Sequence, residues 1–532
     1  MKTLLPMSLE QTAARYPLRN AVVTKTTELT YLELNTLSSQ VCQALLNYGV
    51  GRNSRIAYLM DNKAEVLILW HAIQKAGAVA VPLNKRLRAK EIGGMLQMVS
   101  ASAFFFDVDA LAVASEALDK LDHECLSVAV GKDDLYAKLG WEEFLARGLE
   151  GEHKPVAENA DDEALILFSS GTTGMPKAAV RTVECISLLS MAMQDEDYLA
   201  QINCDVLYTQ APLYHLGGVL AMLRTGAVGG TLVLESRFDM SLIFDLIEEH
   251  EVTQLYMIPP TLFSRMFSAP ERQGRVFPKV CFAHGAGGRT TLENIQAVSA
   301  LFPNAKLKLS FGGTEMGALT YASFTCQELD SNPKLMTSIG KPNPQVDIKL
   351  VNKDGDEAAS CEPGEALVKS PLLFKEYVNN PELTRSVFSA EGYYHTGDIL
   401  KVDEEGYYYF VDRRSDIIKT GGENVYAHEV EEAVLAYPGI AECAAVGIPD
   451  SCLSEAVAIA VVLEKKNDFL DEGDLLGFCR SRLPSFNKPQ YLAIMDALPR
   501  NSLGKIQKKE LLLDVSIFQP IARHSNSSSL EK

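Results

Sequence analysis

Residues 165–177 read LILFSSGTTGMPK, an apolar run of strand type that leads into a loop of glycine and hydroxyl side chains and ends at a lysine. Such a loop suits a phosphate, because glycines let backbone N–H groups approach an anion, hydroxyls add donors, and a lysine can hold the outer phosphates. It is not a Walker A loop, because no glycine directly precedes Lys177 and no serine or threonine follows it. The alternative is a plain surface turn. The candidate phosphate-binding residues are Ser169, Ser170, Gly171, Thr172, Thr173, Gly174 and Lys177.

Strand and helix patterns alternate on both sides of this loop. Apolar strand-like runs lie at 55–60, 79–83, 103–106, 164–168, 207–211, 231–235, 255–258 and 280–283. Helical periodicity lies at 31–46, 64–75, 89–98, 240–250 and 291–300. The alternation indicates βα units in parallel sheets. It predicts an α/β protein with two doubly wound subdomains.

The sequence pattern changes after about residue 340. Prolines interrupt short runs at 347–351 and 365–369, which predicts a β-barrel-like subdomain. Helix and strand patterns resume at 428–437, 444–448, 456–463 and 470–480, and predict a small α+β C-terminal domain. We therefore predict an N-terminal domain at 1–413, a C-terminal domain at 414–515 and a disordered tail at 516–532.

Composition excludes several classes of protein. The 532 residues carry 50 Lys plus Arg against 69 Asp plus Glu, a net charge of −19 that disfavours nucleic-acid binding. One of the longest apolar runs, 456–463, is far short of the ~20 residues that cross a bilayer, so no integral membrane association is expected. The ten cysteines form no CxxC pair, and the N-terminus does not read as a signal peptide. We predict a cytoplasmic location.

A second motif, FGGTE, occupies residues 311–315 after the run 307–310. In α/β proteins ligands bind where strands end. Phe311 can stack on a purine, Thr314 can bond a phosphate oxygen, and Glu315 offers the hard oxygen ligand that Mg²⁺ prefers. The alternative for this motif alone is a Gly-Gly turn with a solvated glutamate.

Two further motifs lie closer to the C-terminus. YHTGD at 394–398 precedes an Asp-Arg-Arg segment at 412–414. Asp398 can accept from both hydroxyls of a ribose, and Arg413 can donate a rigid fork to ribose or phosphate oxygens. The alternative interpretation of Asp398 and Arg413 is an exposed salt bridge in a hairpin. The last motif, PRNSLGK at 499–505, presents Lys505 and by itself is only a basic loop.

In this order and spacing, the four motifs resemble the adenylate-forming superfamily of acyl-CoA synthetases, stand-alone adenylation domains and luciferases. The resemblance runs from about residue 8 to residue 512 and includes weaker matches at 212–215, 285–288, 364–365 and Tyr377. Within the superfamily, residues 176–179, 478–481 and 498–501 look most like bacterial aryl-CoA ligases of the chlorobenzoate type.

The resemblance implies a two-step reaction with ATP, Mg²⁺ and CoA. A substrate carboxylate attacks the α-phosphate to give acyl-AMP and pyrophosphate, and a thiol then displaces AMP. Glu315 would hold Mg²⁺, Thr314 the α-phosphate, and Lys505 would bridge the attacking carboxylate and the α-phosphate. The adenine slot would be formed by Gly285, Ala286, Gly287, Phe311 and Gly312, and the ribose and phosphate would be fixed by Asp398 and Arg413. A mobile C-terminal domain would rotate about a hinge at Ser415.

The acyl pocket is the least specified part of the resemblance. Its candidate residues are His215, Gly287, Gly313 and Met316. His215 would orient the carboxylate or close the pocket against a ring, and the alternative is a neutral histidine packed between strands. The glycines indicate room for an acid larger than acetate, and no cation is placed to bind a second carboxylate. Ser415 departs from the usual Asp or Lys at the hinge, and Phe311 replaces the usual tyrosine.

Several functions remain open from the sequence. The first is an ATP-dependent carboxylic acid:CoA ligase acting on an aromatic or medium-chain acid. The second is a stand-alone adenylating enzyme that loads a carrier protein. The third is a nucleotide-binding regulator without catalysis, which the presence of Lys505, Glu315 and Asp398 disfavours. The partners expected of a ligase are a small carboxylic acid and CoA, and a homodimer is left open.

Overall fold

The protein divides into two compact units, which are described separately. In the computed structural model the first unit comprises 1–348, 367–395 and 405–408, and the second comprises 349–366, 396–404 and 409–532. The structure describes residues 8–131, 139–149, 159–169, 176–192, 205–236, 238–286, 290–421, 423–450, 453–464, 470–500 and 506–521.

The chain up to residue 342 alternates strands and helices as the sequence predicts. Its strands are β1 Asn20–Val23, β2 Glu28–Thr30, β3 Arg55–Leu59, β4 Val79–Pro82, β5 Ala103–Asp107, β6 Leu126–Val130, β7 Glu163–Ser169, β8 Lys177–Thr182, β9 Val206–Thr209, β10 Thr231–Leu234, β11 Gln254–Met257, β12 Phe282–Gly285, β13 Lys306–Gly313, β14 Gly317–Thr325 and β15 Ser338–Pro342. Its helices are α1 Leu9–Arg15, α2 Tyr31–Asn47, α3 Ala64–Lys75, α4 Ala89–Met98, α5 Leu111–Leu118, α6 Trp141–Arg147, α7 Val183–Met191, α8 Leu216–Val228, α9 Met240–Glu249, α10 Thr261–Ser268, α11 Leu292–Leu301 and α12 Cys326–Ser331.

The rest of the chain is richer in strands. Its elements are β16 Asp347–Val351, β17 Gly364–Lys369, β18 Glu376–Tyr377, α13 Pro381–Ser386, β19 Tyr394–Val402, β20 Tyr408–Arg413, β21 Ile417–Thr420, β22 Glu423–Tyr426, α14 Ala427–Leu435, β23 Ile440–Asp450, β24 Ser454–Leu463, α15 Glu472–Arg480, β25 Tyr491–Ile494, α16 Lys508–Leu511 and β26 Gln519–Pro520. None of the helices in the described residues is both long and apolar enough to cross a bilayer.

Two sheets with parallel cores organise the first unit. One has the strand order β18-β8-β7-β4-β3-β5-β6, and the other contains β15-β14-β13-β12-β11-β9-β10-β1-β2. Strands β4, β3, β5 and β6 pair in parallel, as do β13, β12, β11, β9, β10 and β1. Because parallel strands are joined by crossover helices, both faces of such sheets are covered. The predicted pair of doubly wound subdomains is confirmed.

Local signals in the sequence explain where many of the helices begin. Helix α2 starts after a capping box in which Thr30 accepts from the backbone of Glu33 and the Glu33 side chain accepts from the backbone of Thr30. Its buried side chains Leu34, Val41 and Leu45 recur at helical spacing and pack into the largest apolar core. The predicted bounds of α3 and α4 agree with the observed ones.

Two of the differences from the predicted boundaries have an identifiable physical reason. The strand predicted at 280–283 lies at Phe282–Gly285 instead, because the N–H of Val280 bonds the carbonyl of Phe277 in a turn and does not join the sheet. Residues 516–521, predicted to begin a disordered tail, instead hold a strand, β26, that pairs with β25, and Phe518 and Ile521 are buried. Apolar side chains that find a core stay ordered even near a terminus.

The second unit contains much of the predicted β segment and the whole α+β domain. Strands β16, β17, β19 and β20 are neighbours in that order. A separate sheet has the order β22-β21-β24-β25-β26, with β23 paired to β24. Helices α14 and α15 bury Val430, Val434 and Leu475 in a common core with Ile459 of this sheet. The predicted small α+β C-terminal domain is confirmed.

A half-buried lysine connects helix α16 to helix α14 and to the segment that follows β20. The Nζ atom of Lys508 lies 2.7 Å from a carboxylate oxygen of Glu431 and 3.7 Å from one of Asp416. Burial by itself would lower the pKa of Lys508, but the carboxylates outweigh it and raise the pKa above 10.5. The ion pairs therefore stabilise the second unit at neutral pH.

We expect Lys508→Met to lower the stability of the second unit by about 2 kcal/mol at pH 8, because it leaves the half-buried Glu431 without its cation. Since the pKa of Lys508 is raised on folding, its contribution is fully present below pH 10.5 and is lost as the pH rises through the folded pKa. Calorimetric unfolding of the full chain at pH 8 and pH 11 checks this, with the exposed Lys509→Met as control. A deficit that does not shrink at pH 11 would contradict the assignment.

Candidate active site

The lysine loop is a hairpin connection between β7 and β8. Ser169, the last residue of β7, pairs across the sheet with Lys177, the first residue of β8. Strand pairing therefore fixes both ends of the loop, as the strand-to-loop pattern indicated. The remaining candidates of the loop, Ser170, Gly171, Thr172, Thr173 and Gly174, lie outside the described residues.

The FGGTE motif forms the end of another hairpin, between β13 and β14. Phe311 and Gly312 lie within β13 rather than in a turn, and the turn itself begins after Gly313. A Cβ atom on Gly312 would stand 1.9 Å from the carbonyl oxygen of Gly317, so only glycine fits there. Strand β14 starts at Gly317 with a φ of 74°. This hairpin holds Thr314 and Glu315 at its tip, both half-buried.

The Glu315 carboxylate connects the two hairpins. Its Oε1 atom accepts a hydrogen bond of 2.6 Å from the Ser169 hydroxyl and one of 3.1 Å from the Tyr377 hydroxyl. The Tyr377 ring in turn lies 5.4 Å from the Nζ atom of Lys177. Burial, and then the Glu315 carboxylate, raise the pKa of Tyr377, so its hydroxyl stays protonated and donates. These four residues form one contiguous polar cluster.

The cluster fits a phosphate-bound Mg²⁺ better than a metal held by protein alone. Within the described residues, both donors to Glu315 bond Oε1, which leaves Oε2 as an oxygen ligand. No group of three or more His, Cys, Asp or Glu side chains in that part of the chain could hold a metal ion. Mg²⁺ typically binds one or two carboxylates together with substrate phosphates. Glu315 beside Lys177 therefore suits Mg²⁺ that arrives with a nucleotide.

Arg181 was not predicted from the sequence as a site residue. It lies in β8 and is fully buried, and its Nη2 atom donates to the carbonyl oxygen of Thr314 at 2.6 Å. Its Nη1 atom donates to the carbonyl oxygen of Leu372 at 2.7 Å. The signal in the sequence was an arginine inside the apolar strand that follows the lysine loop.

The YHTGD motif places its acidic residue in the second unit, on β19. Asp398 is fully buried, and its Oδ1 atom lies 2.6 Å from Nε of Arg413 at the end of β20. The N–H of Asp398 donates to the hydroxyl of Thr396, whose hydroxyl donates to the carbonyl of Ala366. The structure thus brings Asp398 and Arg413 together as an ion pair. The guanidinium fixes the orientation of the Asp398 carboxylate.

Several acyl-pocket candidates lie in the first unit. His215 is half-buried at the N-cap of α8, with its ring 4.5 Å from that of Tyr214 in an edge-to-face arrangement. Met316 is buried, and a Cβ atom on Gly313 would stand 2.9 Å from its methyl carbon. Gly217, in the first turn of α8, leaves room for the side chain of Ile258. Apolar and aromatic side chains are thus present among the acyl-pocket candidates and their neighbours.

The remaining candidates are those of the adenine slot, the hinge residue and two residues that the structure does not describe. Gly285 ends β12, and Ala286 follows it and is half-buried. Ser415 is exposed in a 3-10 helix at Arg414–Asp416, and its hydroxyl donates to the Asp416 carboxylate at 2.8 Å. Gly287 and Lys505 lie outside the described residues.

Comparisons with known proteins give consistent results. The sequence matches the family described as "AMP-binding enzyme" over residues 9–378, and the "AMP-binding enzyme C-terminal domain" over residues 429–505. It is 30% identical to long-chain-fatty-acid–CoA ligase FadD13 of Mycobacterium tuberculosis, over 96% of this chain and 98% of that protein. It is also 30% identical to a feruloyl-CoA synthase of Amycolatopsis sp, over 91% of this chain and 94% of that protein.

The structure is similar to solved complexes of o-succinylbenzoate CoA synthetase from Bacillus subtilis. The complex with the acyl-adenylate intermediate OSB-AMP matches with a TM-score of 0.80 and 26% identity, over 95% of this chain and 98% of that one. The complex with ATP and magnesium ion matches equally well, over 96% and 99% of the two chains. The predicted α/β fold with a large and a small domain is confirmed. The chain, with both its large domain and its C-terminal domain, belongs to the AMP-binding enzyme family, the adenylate-forming superfamily that its four motifs predicted.

Proposed function

We propose that the protein is an ATP-dependent carboxylic acid:CoA ligase that forms an acyl-AMP and then an acyl-CoA. The observation that carries this proposal is the convergence of Ser169, Lys177, Glu315 and Tyr377 from three separate parts of the chain. The cluster combines phosphate donors, a cation and a carboxylate ligand for a metal. The relatives described above are all named as CoA ligases, synthases or synthetases, which supports the same reaction.

In the first step the acid's carboxylate oxygen bonds to the α-phosphorus of ATP, and the bond from that phosphorus to the departing pyrophosphate breaks. We assign Lys177 and the loop of Ser169 to the outer phosphates, Thr314 to the α-phosphate, and Glu315 to Mg²⁺. Bound there, Mg²⁺ neutralises phosphate charge. Tyr377 holds the Glu315 carboxylate in place by its hydrogen bond to Oε1. Lys505 is assigned to the charge that develops between carboxylate and phosphate.

In the second step the thiol of CoA gives up its proton to solvent and its sulfur bonds to the acyl carbon. AMP leaves with the electron pair of the broken C–O bond. We propose that rotation of the C-terminal domain about Ser415 separates the two steps. We place the domain boundary between residues 413 and 414, in line with the separate matches at 9–378 and 429–505. The exposed position of Ser415 is compatible with a hinge.

We propose an aromatic or medium-chain acid as the substrate. The edge-to-face pair of Tyr214 and His215 offers a ring a place to stack, and the unbranched Met316 side chain adapts to different shapes. Feruloyl-CoA synthase acts on an aromatic acid, which supports the aromatic choice. We also propose that the protein works in the cytoplasm without nucleic acid. The homodimer stays a prediction, which light scattering on the purified chain would decide.

The test is pyrophosphate release from ATP with a panel of benzoates, cinnamates, o-succinylbenzoate and C2 to C12 fatty acids, with and without CoA. Turnover on one class that CoA stimulates supports the ligase and names its substrate. Release without stimulation by CoA favours the second candidate, an enzyme that loads a carrier protein. Tight ATP binding with no release from any acid favours a regulator and contradicts the ligase.

We expect Asp398→Asn to weaken ATP binding about tenfold, because an amide accepts less strongly from ribose hydroxyls and loses its ion pair with Arg413. Asparagine keeps the shape of this fully buried side chain, so folding is disturbed less than by alanine. Calorimetric titration with ATP and with pyrophosphate checks the assignment. Only ATP binding should weaken, since pyrophosphate has no ribose. Equal losses for both ligands would contradict it.

A further inference from the structure

Arg181 is a buried cation directly behind the tip of the β13–β14 hairpin. It is 0% exposed, and its partners are the carbonyl oxygens of Thr314 and Leu372 and, at 3.0 Å, the Sγ atom of Cys185. Among the described residues, no carboxylate lies within ion-pair distance of Arg181. Carbonyl oxygens accept from both Nη atoms, whereas the buried Nε atom has no hydrogen-bond partner among the described residues. None of these contacts neutralises the charge of the guanidinium.

The guanidinium clamps the two residues that we assign to the α-phosphate and to Mg²⁺. Arg181 holds the carbonyl of Thr314. The next carbonyl, that of Glu315, accepts a hydrogen bond of 2.8 Å from the N–H of Phe374. Arg181 also donates to the carbonyl of Leu372, in the same segment as Phe374. It therefore contacts both the hairpin tip and the segment that hydrogen-bonds to that tip. Both carbonyls of the Thr314–Glu315 pair are therefore fixed by groups outside their own hairpin.

The charge of Arg181 lies on the same strand as the loop lysine. Lys177 and Arg181 are four residues apart in β8, so alternation places them on the same face about 13 Å apart. Both positive charges therefore lie on the side of β8 where the tip of the β13–β14 hairpin is found. A buried positive charge is costly by itself, and an anionic ligand at that tip would compensate it.

We propose that Arg181 is a positioning residue for the adenylation step. Its planar guanidinium group, a fork of two donor nitrogens, holds the Thr314–Glu315 pair in the geometry that Mg·ATP requires. Its positive charge favours binding of the polyanionic nucleotide. The inference rests on the function proposed above, because it takes Thr314 and Glu315 as the phosphate and metal contacts. A lysine cannot reproduce the fork to two carbonyls, and a methionine removes both the fork and the charge.

The experiment compares Arg181→Met and Arg181→Lys with the matched control Arg55→Met in the full-length protein. Arg55 is a half-buried arginine of β3 that pairs with Glu163 in the same unit. Each variant is titrated by calorimetry with a non-hydrolysable ATP analogue at several Mg²⁺ concentrations, and its unfolding temperature is measured. Acyl-AMP formation and thioester formation from supplied acyl-AMP are then measured separately.

We expect Arg181→Met to weaken binding of the Mg²⁺ complex about tenfold, or roughly 1.4 kcal/mol, and to raise the Mg²⁺ concentration needed for half-maximal binding. Adenylation should slow, whereas the thioester step from supplied acyl-AMP should stay within about twofold. Arg181→Lys should lie between Arg181→Met and wild type, and Arg55→Met should bind like wild type.

Three results would overturn the proposal: wild-type binding in folded Arg181→Met, full recovery in Arg181→Lys, or an equal loss in Arg55→Met. If Arg181→Met does not fold, Arg181→Lys decides the question, because it retains the buried charge. The binding measurement also separates this inference from the proposed function. A wild-type protein that adenylates no acid refutes the function, and weakened analogue binding in the variants still supports the positioning role.

Discussion

Replacing Glu315 with glutamine should slow adenylate formation about a hundredfold, or roughly 2.7 kcal/mol in activation free energy. The glutamine side chain can still accept the hydrogen bonds from Ser169 and Tyr377, so the hairpin should keep its geometry. What disappears is the negative charge that suits Mg²⁺. The rate loss should therefore be accompanied by a higher Mg²⁺ requirement, which pyrophosphate release over a Mg²⁺ titration measures.

Glu376→Gln is the matched control for this experiment. Glu376 is a half-buried carboxylate that immediately precedes Tyr377 in β18 and, by strand alternation, lies on the opposite face. Its replacement removes the same charge from the same region without touching the cluster. A Glu315→Gln enzyme with an unchanged Mg²⁺ dependence, or an equal defect in Glu376→Gln, would show that Glu315 is not the metal ligand.

The largest loss is expected from Lys505→Ala, about a thousandfold in adenylate formation. A carboxylate anion that approaches a polyanionic phosphate is repelled unless a cation lies between them, and we propose Lys505 for this role from the family resemblance. The cation is needed only while negative charge develops between the two groups. Thioester formation from supplied acyl-AMP involves no such approach and should be spared.

Stopped assays of the two half-reactions, each started from purified components, separate these steps for Lys505→Ala. Lys509→Ala is the charge-matched control, since Lys509 is exposed four residues further along the chain. It should retain both activities. Equal losses in the two half-reactions of Lys505→Ala would contradict the assigned role and indicate a general effect on folding or on domain arrangement.

Much of the fold was predictable because it depends on local patterns. The bounds of α3 and α4 follow from helical spacing of apolar residues, and the strands follow from short apolar runs between polar segments. The errors occurred where hydrogen bonding and burial in the folded chain, rather than the apolar pattern, decided the outcome. Val280 leaves the sheet for a turn with Phe277, and Phe518 is held near the C-terminus by burial.

The site shows the same division. Ser169, Lys177, Glu315, Asp398 and Arg413 were recognisable because motif chemistry and motif order are properties of the sequence. The sequence did not indicate that the hydroxyl of Ser169 bonds Glu315 across 146 residues. Arg181 was overlooked because an arginine in a strand has no distinctive spacing, and its partner Thr314 is 133 residues away.

By itself, therefore, the sequence determined the class of fold, the family and the residue types available for nucleotide chemistry, because each of these depends on local spacing and composition. Only the tertiary structure decided which carboxylate is held by which hydroxyl, and that Asp398 is buried against Arg413. It also placed a buried guanidinium behind the Thr314 carbonyl. These features depend on the register of strands far apart in the chain, which the packing of the whole unit determines.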